Sequence, residues 1–330
     1  MLDRRGAIVA ALGAGITGVA VAQTPPPGLN AGRTQHRDPT ETIDLWPKGA
    51  PNAPATLPVE AVVERSGANG VGDREVHGIA RPRMVVFRPE HPNGCAALVT
   101  PGGGYRYIVI DKEGYEVARW LTARGWTVFV LFYRLPGEGW SDRANVPLAD
   151  AQRAMRLIRS RAKDYGVRAD RVAAMGFSAG GHLCADLATR FGASVYQPVD
   201  AADGLSARPD IAAPIYPVQS MTLPIAHAGS RELLLGPDAT PAMERAHSPA
   251  DTLTAEAPPL FLAHAEDDGA VPVGNSLLLR AAARAAGIKV ETHLFETGGH
   301  GFGLRAAKGK PAEVWPDLFV RWAATHGFAG

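Results

Sequence analysis

Residues 172–183 read Val-Ala-Ala-Met-Gly-Phe-Ser-Ala-Gly-Gly-His-Leu, and this stretch decides the fold. Val172 to Phe177 is a short apolar run of the kind that forms a strand buried on both faces, and Gly181 to Arg190 is helix-forming. Between them Gly176-Phe177-Ser178-Ala179-Gly180 matches G-x-S-x-G, a sharp strand-to-helix turn that holds a serine hydroxyl clear of a sheet. The backbone at such a serine is strained and its neighbours approach closely, so the flanking positions must be small. A bare five-residue match arises by chance, and a structural Ser/Gly turn would look the same. The strand before it and the helix after it point to Ser178 as a nucleophile.

Outward from this turn the pattern repeats. Met84 to Arg88, Ala96 to Thr100, Thr127 to Phe132, Ile211 to Tyr216, Leu260 to His264 and Val290 to Phe295 read as further strands. Helical spacing occupies Tyr115 to Ala123, Pro147 to Tyr165, Val273 to Ala286 and Ala312 to His326. Each parallel connection needs a crossover, so this alternation predicts an α/β fold: a mostly parallel central sheet flanked by helices on both faces. Gly192 to Pro258 is less regular and is expected to carry an insertion over the site, with too few residues for a second domain.

The chain of 330 residues divides into a start (1–22), an arm (23–58) and one large domain (59–330). Arg4 and Arg5, an apolar run from Ala7 to Val21 and small residues before Gln23 have the pattern of a signal peptide, with paired arginines that permit twin-arginine export. An exported protein, periplasmic or secreted, is therefore expected, with no membrane span in the mature chain. From Thr24 to about Pro58, Pro, Asn and Gly suggest a linker and then an extended arm lying on the domain. The 34 basic and 33 acidic side chains nearly cancel, which argues against nucleic acid or an anionic membrane as partner and suits a neutral or small substrate. Cys95 and Cys184, the only two cysteines, read as small buried apolar residues, a disulfide between them staying open.

A serine hydroxyl needs a base, and the base an orienting carboxylate. Both are expected downstream, acid first and histidine last. His264-Ala265-Glu266-Asp267-Asp268 follows an apolar strand, and Gly298-Gly299-His300-Gly301-Phe302-Gly303 follows the next. Of ten histidines, His300 has the glycine-rich loop that brings an imidazole to the serine; His227, His264 and His293 lack that setting. Asp268 is the chosen acid and Asp267 the reserve, since one residue in a loop is not settled by spacing. Pro101-Gly102-Gly103-Gly104-Tyr105 follows a strand and supplies backbone N–H groups for a developing oxyanion, with donors assigned to Gly103, Gly104 and Ala179. The same loop lacks the spacing of a phosphate-binding motif, and the chain has no H-E-x-x-H or calcium-loop pattern, so neither cofactor nor metal is expected. Tyr105 and Trp140 suit either the sugar side of a pocket or the core.

These residues also resemble a known family. Ile43 to Pro47, Pro101 to Tyr105, Asp150 to Ala154, Gly176 to Leu183, Ala226 to Arg231 with Leu234 to Gly236, His264 to Pro272 and His300 to Gly303 are similar to α/β-hydrolase esterases of the acetylxylan-esterase and carbohydrate-esterase kind. The feruloyl-esterase-like group is close, and lipases of the hormone-sensitive type and prolyl-oligopeptidase-like hydrolases are more distant. The resemblance implies the α/β-hydrolase fold, Asp268 as the acid, and a serine esterase acting on acyl, most simply acetyl, esters of a carbohydrate such as acetylated xylan. A small-molecule carboxylesterase, a feruloyl esterase, a peptidase or amidase with the same triad, and a non-catalytic carbohydrate-binding relative are the alternatives. The lipase-like relatives carry His where Pro101 stands, so their substrate habits do not transfer.

Overall fold

The computed structural model describes residues 38–66 and 70–329, of which all but Asp38 belong to one unit. The stretch expected to be a signal peptide lies outside the described residues.

The main sheet has eight strands in the order β1-β4-β7-β5-β8-β9-β10-β11. In chain order these are β1 (Thr42–Asp44), β4 (Arg83–Phe87), β5 (Gly94–Thr100), β7 (Thr127–Phe132), β8 (Val167–Phe177), β9 (Ile211–Ile215), β10 (Leu260–Ala265) and β11 (Val290–Phe295). β1, β4 and β7 pair antiparallel, and every pair from β7 to β11 is parallel. Consecutive residues of β5, β7, β9 and β10 are buried, which means that both faces are covered. The cover comes from α1 (Glu116–Thr122), α2 (Val146–Ser160), α3 (Ser178–Arg190), α7 (Gly274–Ala285) and α8 (Trp315–Thr325). The less regular stretch holds three short helices, α4 (Ala228–Leu235), α5 (Pro241–Ala246) and α6 (Pro249–Thr252), besides β9. This is the α/β architecture expected from the alternation.

Three features differ from the expectation, the first being that β8 begins at Val167 rather than at Val172. A small antiparallel sheet, β2 (Ala61–Glu64), β3 (Arg74–His77) and β6 (Ile108–Val109), flanks the main one. The helix after Gly176-Phe177 begins at Ser178 itself, three residues before the expected start at Gly181.

The arm is held from inside. Trp46 Nε1 donates to Asp150 Oδ1 at 2.7 Å, and Asp150 also pairs with the buried Arg134 at 2.7 Å. Arg134 Nη1 donates to the Pro51 carbonyl at 2.6 Å, and Arg153 Nε to the Leu45 carbonyl at 3.0 Å. Cys95 and Cys184 are buried and free, and burial pushes the Cys184 thiol up to about 12.

Parallel strands deliver their C-terminal ends to one edge. The sheet grows to both sides of β5, with β7 on one side and β8 on the other, so the loops leaving β5 and β8 diverge and leave a crevice between them. Pro101 to Tyr105, Ser178, Tyr216, Asp268 and His300 all lie on chain leaving those ends.

Candidate active site

Ser178 follows the last residue of β8 and opens α3 with φ +52°, a left-handed conformation that a serine holds only under strain. The strain persists because its surroundings leave no room to relax. A Cβ at Gly176 would stand 2.1 Å from the Gly180 carbonyl oxygen, and one at Gly180 would stand 2.1 Å from that of Thr100. Thr100 Oγ1 donates to the Gly180 carbonyl at 2.8 Å, bracing the turn against β5.

Ser178 Oγ lies 2.9 Å from His300 Nε2, and His300 Nδ1 lies 2.7 Å from Asp268 Oδ2. With Nδ1–H donating to the carboxylate, Nε2 is left to accept from the serine hydroxyl. Asp268 Oδ1 accepts from the N–H groups of Ala270 at 3.0 Å and Val271 at 2.8 Å. Oδ2 is shared with His264 Nε2 at 3.2 Å. His264 Nε2 also reaches the Val271 carbonyl at 3.0 Å, an acceptor only, so that nitrogen carries the hydrogen and Nδ1 accepts from Ser276 Oγ at 2.8 Å. Burial opposes charge on Asp268, but the hydrogen bonds from His264 and His300, electrostatic attraction to His300 and the Val271 N–H outweigh it and hold its pKa well below the usual carboxylate range. A carboxylate so held stays ionised beside the imidazole.

The neighbouring Asp267 does a different job. Its Oδ1 accepts from the N–H groups of Gly298 at 2.8 Å and Gly299 at 2.7 Å, fixing the loop that carries His300. Of the two adjacent acids, Asp268 is the one set against the His300 ring.

Gly103 and Gly104 line the cleft over Ser178, and among the described residues no acceptor takes their N–H groups or that of Ala179. The Gly102 N–H is used, donating to Glu113 Oε2 at 2.9 Å. Tyr105 does not face the cleft: it is buried, and its hydroxyl donates to His182 Nδ1 at 2.6 Å, because His182 Nε2 is donating to the His247 carbonyl at 2.8 Å. The Pro101–Tyr105 loop is thereby tied to the helix that Ser178 opens. Trp140 is buried under the Arg134 guanidinium, so both aromatic candidates belong to the core.

Two contributors have no signature in the sequence, and a third, His264, lies in the stretch that also carries Asp268. Glu113 lies in a single π-turn (Asp111–Tyr115) and is buried against the Pro101–Tyr105 loop. Tyr216 donates to Glu113 Oε1 at 3.0 Å, accepts from the Gly303 N–H at 3.1 Å and sets its ring edge-on to His300, 5.4 Å between centroids. Burial and then the Glu113 charge hold the Tyr216 phenol far above its ordinary pKa, so it stays a donor. His264 supports Asp268 as described.

Geometry of this kind is shared by many hydrolases, and likeness to known proteins narrows it. The BD-FAE family model matches residues 96–282. The chain belongs to the BD-FAE family. The BD-FAE match spans β5 to most of α7, including Ser178, Asp268 and the Pro101–Tyr105 loop, and the likeness to acetylxylan-esterase-like proteins is the one the motifs implied. An acetylxylan esterase of Xylanibacter ruminicola is 34% identical over 228 residues, 68% of this chain and 44% of the relative. An endo-1,4-beta-xylanase B of Butyrivibrio fibrisolvens is 36% identical over 204 residues, 62% of this chain and 32% of the relative. This BD-FAE chain spans less than half the length of both curated relatives. The solved acetyl ester-xyloside bifunctional hydrolase of Caldicellulosiruptor lactoaceticus is 32% identical, with a TM-score of 0.71 over 89% of this chain and 98% of its own. The fold is that of the α/β-hydrolases.

Two pieces of the resemblance have no part in the chemistry. Asp150 and Arg153 of Asp150-Ala151-Gln152-Arg153-Ala154 bind Trp46 and Leu45 of the arm, so those motifs mark a structural joint.

Proposed function

We propose that the protein is a serine esterase that removes acyl groups, acetyl in the first place, from a carbohydrate such as acetylated xylan. The observation that carries this reading is the continuous chain Ser178 Oγ–His300–Asp268, at 2.9 and 2.7 Å, opening onto a cleft roofed by the free N–H groups of Gly103 and Gly104. Similarity to the acetylxylan esterase and to the acetyl ester-xyloside hydrolase supports the substrate class.

Ser178 Oγ attacks the ester carbonyl carbon as His300 Nε2 takes its proton, and the imidazolium is stabilised by Asp268. The oxyanion receives the N–H groups of Gly103, Gly104 and Ala179; one such donor is worth about 10²–10³-fold in rate. The tetrahedral species expels the sugar alcohol, which leaves with the proton from His300. Water then attacks the acyl-enzyme, again losing a proton to His300, and acetate and the free serine result. Residues 1–22 support export to the periplasm or beyond, where polysaccharide is met.

The test is acetate released from acetylated xylan by the protein and by Ser178→Ala. Release by the wild type that falls to the blank in the variant is expected. Release undiminished in a folded variant removes Ser178 from the mechanism, and turnover of aryl acetates alone removes xylan.

A further inference from the structure

The cleft of about 270 Å³ over Ser178 carries more positive charge than a neutral sugar ester needs. Arg65, Arg106 and Lys112 line it, against a single carboxylate, Glu113. Glu113 is already engaged by the Gly102 N–H and the Tyr216 hydroxyl. Arg65 is engaged too, pairing with Asp73 at 2.6 Å and Glu75 at 3.6 Å. Arg106 and Lys112 are different: among the described residues no carboxylate lies within 4.0 Å of either. This is not a general basic surface, because the chain as a whole carries +1 and most of its other arginines are paired.

Lys112 is also close to the reacting groups. Its Nζ is 3.3 Å from the point where a side chain at Gly301, the residue after His300, would begin, and its stem lies 3.1 Å from the same point at Gly303. That ammonium, offset only in part by Glu113 Oε1 at 3.5 Å from the same Gly301 point, opposes the imidazolium that forms on His300 during acyl transfer. An anion in the cleft offsets that opposition and gains Coulomb attraction from both cations, in a cavity whose walls reduce screening.

We propose that Lys112 and Arg106 form an anion subsite, and that the preferred ester carries a carboxylate on its alcohol side. A carbohydrate bearing a uronic-acid branch is the substrate class that combines this subsite with the esterase reading on which it rests. Each partly exposed cation contributes about two- to fivefold, and the pair about tenfold, diminishing with salt.

The experiment compares kcat/KM for two acetylated xylo-oligosaccharides of equal length, one with a uronic-acid branch and one without. A second pair, 4-acetoxybenzoate and its methyl ester, presents the same carboxylate without sugar. Each ratio of charged to neutral substrate is read at low and high salt and in Arg106→Gln, Lys112→Gln and the double variant, the neutral member reporting basal chemistry in each. Charged-substrate preference of about tenfold that shrinks towards one in salt and in the double variant is expected. The same behaviour in the aryl pair alone keeps the subsite and assigns the carboxylate to small aromatic acids. Ratios insensitive to salt and to both substitutions, with neutral esters turned over, overturn the subsite and leave the esterase standing. No turnover of any of the four removes the esterase reading and this proposal with it.

Discussion

Asp267 and Asp268 are adjacent acids with separate tasks. Asp268 faces His300, while Asp267 holds the backbone of the loop on which His300 sits. Asp268→Asn removes the acceptor that sets the tautomer of His300, and kcat is expected to fall about 10⁴-fold with the fold retained. Asp267→Asn keeps an oxygen for Gly298 and Gly299 and loses only the charge, so a fall of about tenfold or less is expected. Steady-state kinetics on the two variants, with circular dichroism to confirm folding, separates the roles. Glu113 acts one step further back, joining the oxyanion loop to the His300 loop through Tyr216. Glu113→Ala is expected to lower kcat about 100-fold with little change in KM, because the N–H donors shift rather than disappear, and Glu113→Gln to recover part of the loss.

At the scale of elements, α3 holds Ser178, the proposed nucleophile, at one end and a buried polar network behind it. Arg190 donates to His247 Nδ1 at 3.1 Å, and burial pushes His247 down to about 4. In the unfolded chain a histidine titrates near 6.5, so between about pH 6.5 and 4 the unfolded state binds a proton that the folded state refuses. Stability therefore falls as pH drops through this window, by up to about 3 kcal/mol from this side chain, and is unaffected by it above pH 7. Denaturant titrations from pH 7 to 4 are expected to show a shallower decline in His247→Asn than in the wild type. A parallel decline in both would assign acid sensitivity elsewhere.

Legibility also varied by element. β5, β7, β9, β10 and the second half of β8, Val172 to Phe177, stood out because burial on both faces makes each an unbroken apolar run. β2 is exposed at all four positions and β6 has two residues, so neither period nor composition distinguishes them from loop. Ser178 and His300 were readable because local backbone demands glycine around them. Glu113 and Tyr216 were not, since their partners lie 11 and 103 residues away in sequence and only the assembled sheet edge brings them together.

For the whole molecule, the buried Arg134–Asp150 pair is a costly joint to open. Both side chains are almost wholly buried, and Asp150 also receives Trp46. Asp150→Asn strands a guanidinium in the core and is expected to cost about 3–5 kcal/mol, read as a lowered midpoint of urea unfolding. Asp150 and Arg153 grip the segment from Leu45 to Pro51 directly or through Arg134. A shortened gene starting beyond Pro51 thus yields a protein whose central cation has lost its carbonyl and whose sheet has lost an edge.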